Sequence, residues 1–102
     1  PAEFQRRMEI WCEEETRADR LPKGSWALLR EAILAGEFAR GKAPDLTGYR
    51  ERQARTVLTT LIEKGFLVSP TSRAPVRLGF PLAVVDRWFP RLYTGPASTT
   101  LA

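Results

Sequence analysis

The apolar residues of this chain change their period at Gly65, and that change limits the possible fold more than any other feature. From Arg50 to Lys64, the residues Ala54, Val57, Leu58, Leu61 and Ile62 fall within one arc when successive positions are turned by about 100°. Arg52, Gln53, Thr56, Thr59, Thr60 and Glu63 take the opposite face. This is an amphipathic helix, and Gly65 closes it. Beyond Gly65 the period is two. Phe66-Leu67-Val68 reads as a short strand, Ser69 to Pro75 as a tight connection with proline at 70 and 75, and Val76, Leu78 and Phe80, alternating with Arg77 and Gly79, as a second strand. The pair is a β-hairpin with a basic tip and flank.

Upstream, Ser25 is a good N-cap for a helix over 26–35 carrying Trp26, Leu29, Ala32 and Ile33 on one side, with Gly36 as a left-handed stop. Glu37 to Gly41 has room only for a brief extended piece, and Lys42 to Leu46 for roughly one and a half helical turns before a tight turn at Thr47-Gly48. The opening segment places Phe4, Met8, Trp11 and Cys12 at helical spacing, with Ile10 off the stripe, until Leu21-Pro22 stops it. It reads either as a docked first helix of this domain or as a connector from a neighbouring one. Pro81 to Phe89 predicts one more short helix, presenting Leu82, Val85, Trp88 and Phe89 and ended by Pro90. The expected fold class is therefore mainly α with a small β-hairpin. The order of elements is that of a winged helix-turn-helix over 21–93, preceded by an N-terminal linker helix over 1–20 and followed by a flexible tail over 94–102. A short helix cannot bury itself alone, so Leu46 shares a core with Leu29, Ile33, Val57, Leu58 and Leu61.

At 102 residues and 43% hydrophobic content the chain has enough for a single core and not for two. Its apolar runs are far short of the ~20 residues that span a bilayer, which predicts a soluble, cytoplasmic protein with no membrane partner. Cys12 is the single cysteine and there is no histidine, so an internal disulfide, the usual zinc sets and the usual Ser/His or Cys/His catalytic pairs are all missing. The first residue is Pro1 and not Met, which suggests a piece of something longer. Charge is uneven: residues 1–20 hold six acids and four bases, a net of −2, and the remainder holds twelve bases and six acids, a net of +6. The basic body can approach phosphates.

Three stretches carry a resemblance. Leu46-Thr47-Gly48-Tyr49-Arg50-Glu51-Arg52-Gln53-Ala54-Arg55, then Leu61-Ile62-Glu63-Lys64-Gly65-Phe66-Leu67-Val68-Ser69, then Arg73-Ala74-Pro75-Val76-Arg77-Leu78-Gly79-Phe80-Pro81 together resemble the C-terminal winged-helix region of many bacterial Fic-family proteins. Trp88-Phe89-Pro90-Arg91-Leu92-Tyr93 is similar to the end of such chains. The resemblance covers roughly residues 22–93. Its first half is generic for winged helices, whereas the Arg-Ala-Pro-Val-Arg-Leu strand and the Trp-Phe-Pro ending are more specific. It implies that residues 1–20 are the last helix of a Fic domain or the linker leaving it, and that the parent is an AMP-transferase moving AMP from ATP to a protein hydroxyl. The family's His-Pro-Phe-x-x-Gly-Asn-Gly-Arg signature does not occur here, so none of its catalytic residues transfers. The expectation is an accessory domain, with no enzymatic activity, catalytic residue, metal or cofactor of its own and with the Fic catalytic domain as its partner in cis.

Among candidate chemistries, Gly36 to Lys42 spells Gly-x-x-x-x-Gly-Lys, but Ala43 stands where a phosphate loop needs a hydroxyl, and the motif follows a helix where it should follow a strand. Glu13, Glu14 and Glu15 diverge around a helix and suit a solvated face. Cys12 fits as a small buried or interface residue, and Trp26 and Trp88 fit as core. Double-stranded DNA has the best-formed case. With 50–64 as recognition helix, Arg52 and Gln53 reach base edges, Thr56 lets the backbone approach, and Arg50 and Arg55 flank toward phosphates. Arg73 at the hairpin tip and Arg77 on its outer face reach phosphate or the minor groove, with Lys42 contributing from the short helix. The alternative is a protein-interaction or dimerisation module that regulates or targets the Fic domain, with Phe4, Met8 and Trp11 of the N-terminal helix, or Trp88-Phe89, as its contact surface or as a homodimer seam.

Overall fold

The strongest helical pattern in the sequence becomes a helix that packs against two others and against the first strand of the hairpin. In the computed structural model, which describes residues 2–80, the elements run α1 (Ala2–Arg17), α2 (Ser25–Ala35), a 3₁₀ turn (Arg40–Lys42), α3 (Ala43–Thr47), α4 (Glu51–Glu63), β1 (Leu67–Val68) and β2 (Arg77–Leu78). The helix expected over 81–89, the Trp88-Phe89 surface and the 94–102 tail lie outside the described residues. Among the described residues the chain is mainly helical with one two-stranded antiparallel hairpin, and no helix is long and apolar enough to cross a membrane.

The face of α4 drawn from its period is the face it buries. Ala54, Val57, Leu58 and Leu61 are inside and Ile62 packs at the edge. Gly65, at φ +86, turns the chain sharply enough for the Phe66 N–H to donate back to Leu61, and β1 starts at once. Within the hairpin Leu67 faces Leu78 and Val68 faces Arg77. Gly79 sits so close to Gly65 that a Cβ there would collide with the Gly65 carbonyl oxygen. Its N–H donates to Phe66 at 2.8 Å, which closes the base of the hairpin. The period-two pattern had put Phe80 inward with Val76 and Leu78, yet Phe80 is 54% exposed, because strand pairing ends at Leu78 and Phe80 lies past the last rung.

The brief extended piece after α2 has a partner. Phe38 and Val76 form an antiparallel bridge with both hydrogen bonds made, at 3.0 and 2.8 Å, so residue 38 lengthens the sheet edge beside β2. Both side chains are buried. The 3₁₀ turn then leads into α3, whose end is built by Thr47: its hydroxyl donates to Ala43 at 2.8 Å and accepts the Tyr49 N–H at 3.2 Å, while Gly48 takes φ +77.

At α2 the sequence reading needs a correction. Ser25 is the first helical residue and not the cap; Gly24, at φ +92, holds the cap position. The Ser25 hydroxyl donates backward to the Pro22 carbonyl at 2.6 Å, so a buried hydroxyl is satisfied by the incoming loop and leaves the helix N–H groups uncapped. Leu28, Leu29 and Ala32 are buried, whereas Trp26 and Ile33 stand half-buried at the margin. The helix stops at Gly36 as expected, at positive φ (+85), but with ψ −39 it lies outside the left-handed helical region.

Residues 2–17 join the same core. Met8, Trp11 and Cys12 are buried together with the inner faces of α2 and α4, and the Trp11 and Phe66 rings meet at 4.9 Å between centroids with a 59° tilt. Ile10, off the stripe, is 47% exposed. The Arg20 guanidinium grips Glu15 at 2.7 Å across the turn that ends α1.

Candidate nucleic-acid interface

The face of α4 away from the core is a polar surface in which Arg52, Gln53, Arg55, Thr56, Thr59 and Glu63 are exposed and Thr60 is half-buried. At about 100° per residue, Arg52 and Thr56 lie near the middle of the outer arc, with Arg55 toward one edge and Gln53 toward the other. These residues therefore do not act at one point. Arg52 and Thr56 form a central stripe, and the Thr56 hydroxyl donates to the Arg52 carbonyl at 3.0 Å, which holds it close to the helix surface. Arg55 is paired with Glu51 one turn earlier, at 3.1 Å, with both side chains exposed. Arg50 is the N-cap, in extended backbone and exposed, and no side chain caps the first turn. The end of α4 nearest Arg50 therefore combines unpaired N–H groups with positive charge, an arrangement that attracts phosphate, partly offset by Glu51.

The loop between the strands adds the second wall. Ser69 Oγ lies 2.8 and 2.9 Å from the Thr71 and Ala74 carbonyl oxygens, and Thr71 Oγ1 accepts from the Arg73 and Ala74 N–H groups at 3.2 and 3.0 Å. The loop is thus folded on itself. Arg40, a residue sequence reasoning did not single out, ties it to the helical body: its Nη2 donates to the Thr71 carbonyl at 2.8 Å and its Nε to the Ala74 carbonyl at 3.3 Å. No local pattern announces a contact spanning more than 30 residues; the one available signal was a lone arginine in the short link between α2 and α3.

Arg40, Gly41, Pro44, Arg55, Thr59 and Ser72 line a cleft of about 500 Å³ between the start of α3, the Arg55 edge of α4 and the loop. The structure brings Arg55 and the loop bearing Arg73 to one place, and puts Gln53 on the edge of α4 away from it. Lys42 is exposed at the end of the 3₁₀ turn. Arg73 is exposed on the loop. Arg77 faces out from β2 with its Nε 3.9 Å from Glu37, an exposed and loosely made pair.

Other candidates resolve as structure. Of Phe4, Met8 and Trp11, expected as a contact surface, Met8 and Trp11 are 0% and 2% exposed and belong to the chain's own core, and Phe4 packs half-buried against it. Burial pushes the Cys12 thiol up from 9.0 to about 11, against a smaller lowering by a hydrogen bond with Thr16, and the group stays protonated at neutral pH. No family model, curated protein or solved structure matches the chain.

Proposed function

We propose that this chain is a winged helix-turn-helix module that binds double-stranded DNA, with α4 as recognition helix and the 69–75 loop as wing, acting as an accessory to a Fic-type AMP-transferase. The observation that carries the DNA reading is the juxtaposition around the cleft: an exposed, arginine-bearing face of α4 beside a pinned basic loop. The order α2, α3, α4, hairpin supports the winged arrangement, as does the edge bridge at Phe38, since a helical trio backed by a small sheet is how such modules present one helix. In this reading Arg52 reads base edges in the major groove, Thr56 permits close approach, and Arg50, Arg55, Lys42, Arg73 and Arg77 hold phosphates. Gln53, on the far edge, reads a neighbouring base pair. The Fic assignment rests on the resemblance of the Arg73–Pro81 and Trp88–Tyr93 stretches.

A mobility-shift assay on generic duplex at two salt concentrations tests the reading, with the same sample sized by chromatography. Binding that weakens steeply with salt supports it. No shift at low salt, together with a dimeric elution volume, supports the interaction module in its place, for which Ile10 on α1, Leu34 on α2, Val68 on β1 and Phe80 are exposed apolar residues among those described.

A further inference from the structure

The cleft beside α4 has an uncompensated charge. Its walls carry two guanidinium groups, Arg40 and Arg55, and one carboxylate, Glu51. Glu51 is already engaged by Arg55 at 3.1 Å. Arg40 has no carboxylate within ion-pairing distance among the described residues; its partners are the Thr71 and Ala74 carbonyl oxygens. Two carbonyl dipoles satisfy hydrogen bonds without cancelling a unit charge, so a half-buried cation is left facing the cleft. A guanidinium carries five N–H donors, and only two of these are occupied by the loop. Thr59 and Ser72, both hydroxyl-bearing, also line the cleft, and Gly41 leaves open space where a Cβ would be. A fixed guanidinium fork with hydroxyls nearby and room for close approach suits a tetrahedral oxyanion.

We propose that this cleft is a phosphate seat, with Arg40 as its fixed cation and Arg55 as a second cation that leaves Glu51 when the anion arrives. An exposed i,i+4 pair is a weak hold, so the exchange is easily made. As a seat for one phosphodiester of a duplex the inference rests on the DNA-binding reading; the same chemistry would accept a free phosphate, and the test separates the two sources. It also gives Glu51 a defined part: it competes with the phosphate for Arg55 and sets how tightly the seat binds.

The experiment follows backbone amide shifts of the ¹⁵N-labelled full chain. One arm titrates sodium phosphate against sodium chloride at matched ionic strength, and the other titrates a short duplex. Glu51→Gln and Arg40→Gln are run beside the parent chain. The proposal expects saturable phosphate-specific shifts at Gly41, Thr59 and Ser72, binding roughly two- to five-fold tighter in Glu51→Gln, and loss of those shifts in Arg40→Gln. The gain in Glu51→Gln guards against loss through misfolding. Shifts with phosphate but none with duplex support the seat as a free-phosphate site and overturn the DNA reading. Duplex shifts confined to the Arg52–Thr56 stripe, with Gly41, Thr59 and Ser72 still and Glu51→Gln no tighter, overturn the seat and leave the DNA reading standing. No response to either probe overturns both.

Discussion

Two arginines of the proposed interface have different work and are separable by mutation. Arg52 lies mid-face on α4, where in the proposed complex a fork would reach paired acceptors on a guanine, whereas Arg73 is exposed on the loop, where it would meet phosphate. Arg52→Ala should therefore cost about 1–3 kcal/mol on the preferred site and relax sequence preference. Arg73→Ala should weaken all sequences alike and reduce the salt slope by about 1. Competition binding on a randomised duplex pool reads both effects, and identical behaviour of the two variants would contradict the assignment. Cys12 makes a prediction of another kind. Its thiol titrates at about 11 in the folded chain against 9.0 ordinarily, because burial disfavours the thiolate. The folded state thus holds this proton more tightly than the unfolded state does. The Cys12 contribution to stability is fully present below pH 9.0 and is lost as pH rises toward 11. In a thiol-reagent assay at pH 8 labelling should track global unfolding; fast labelling of the folded chain would show that the side chain is open.

At the scale of elements, legibility followed period and reach. The α4 pattern was fully readable, since five apolar residues on one arc leave one orientation, and the exposure of Arg52, Gln53, Arg55 and Thr56 came with it. The Phe38–Val76 bridge was not readable, because one paired residue has no period. Nor was the Arg40 tether, whose acceptors are backbone carbonyls that any residue supplies. Ser25 was misread because a hydroxyl at a helix start usually caps forward, while the left-handed turn at Gly24 aims this one backward. The hairpin base depends on close backbone approach at Gly79. Gly79→Ala forces a Cβ onto the Gly65 carbonyl oxygen and should cost about 1–3 kcal/mol, measured by urea unfolding. It should also loosen the amides of 66–68 in hydrogen exchange, and an unchanged midpoint would mean that the strands sit farther apart than described.

On the scale of the whole molecule, the question left open by the sequence was whether the first twenty residues belong to this core. Apolar spacing alone could not answer it, because a stripe of four residues serves equally well to dock at home or on a neighbour. In the structure the Trp11 ring packs tilted against Phe66 at the hairpin base and Met8 is fully enclosed, which joins α1 to the element that follows α4. Trp11→Ala should therefore destabilise the chain by about 3–5 kcal/mol in chemical denaturation, whereas a loss below about 1 kcal/mol would mark α1 as a connector. In the proposed function this core would hold one basic helix face and one basic loop side by side against a duplex. Fluorescence anisotropy of a labelled generic duplex, titrated with the chain across salt, tests it most directly. With about five phosphate contacts, from Lys42, Arg50, Arg55, Arg73 and Arg77, log K should fall against log salt with a slope near −4.5, an affinity loss of about 500-fold between ~50 and ~200 mM. A duplex affinity that does not change over that range, or no binding at the lowest salt, would contradict it.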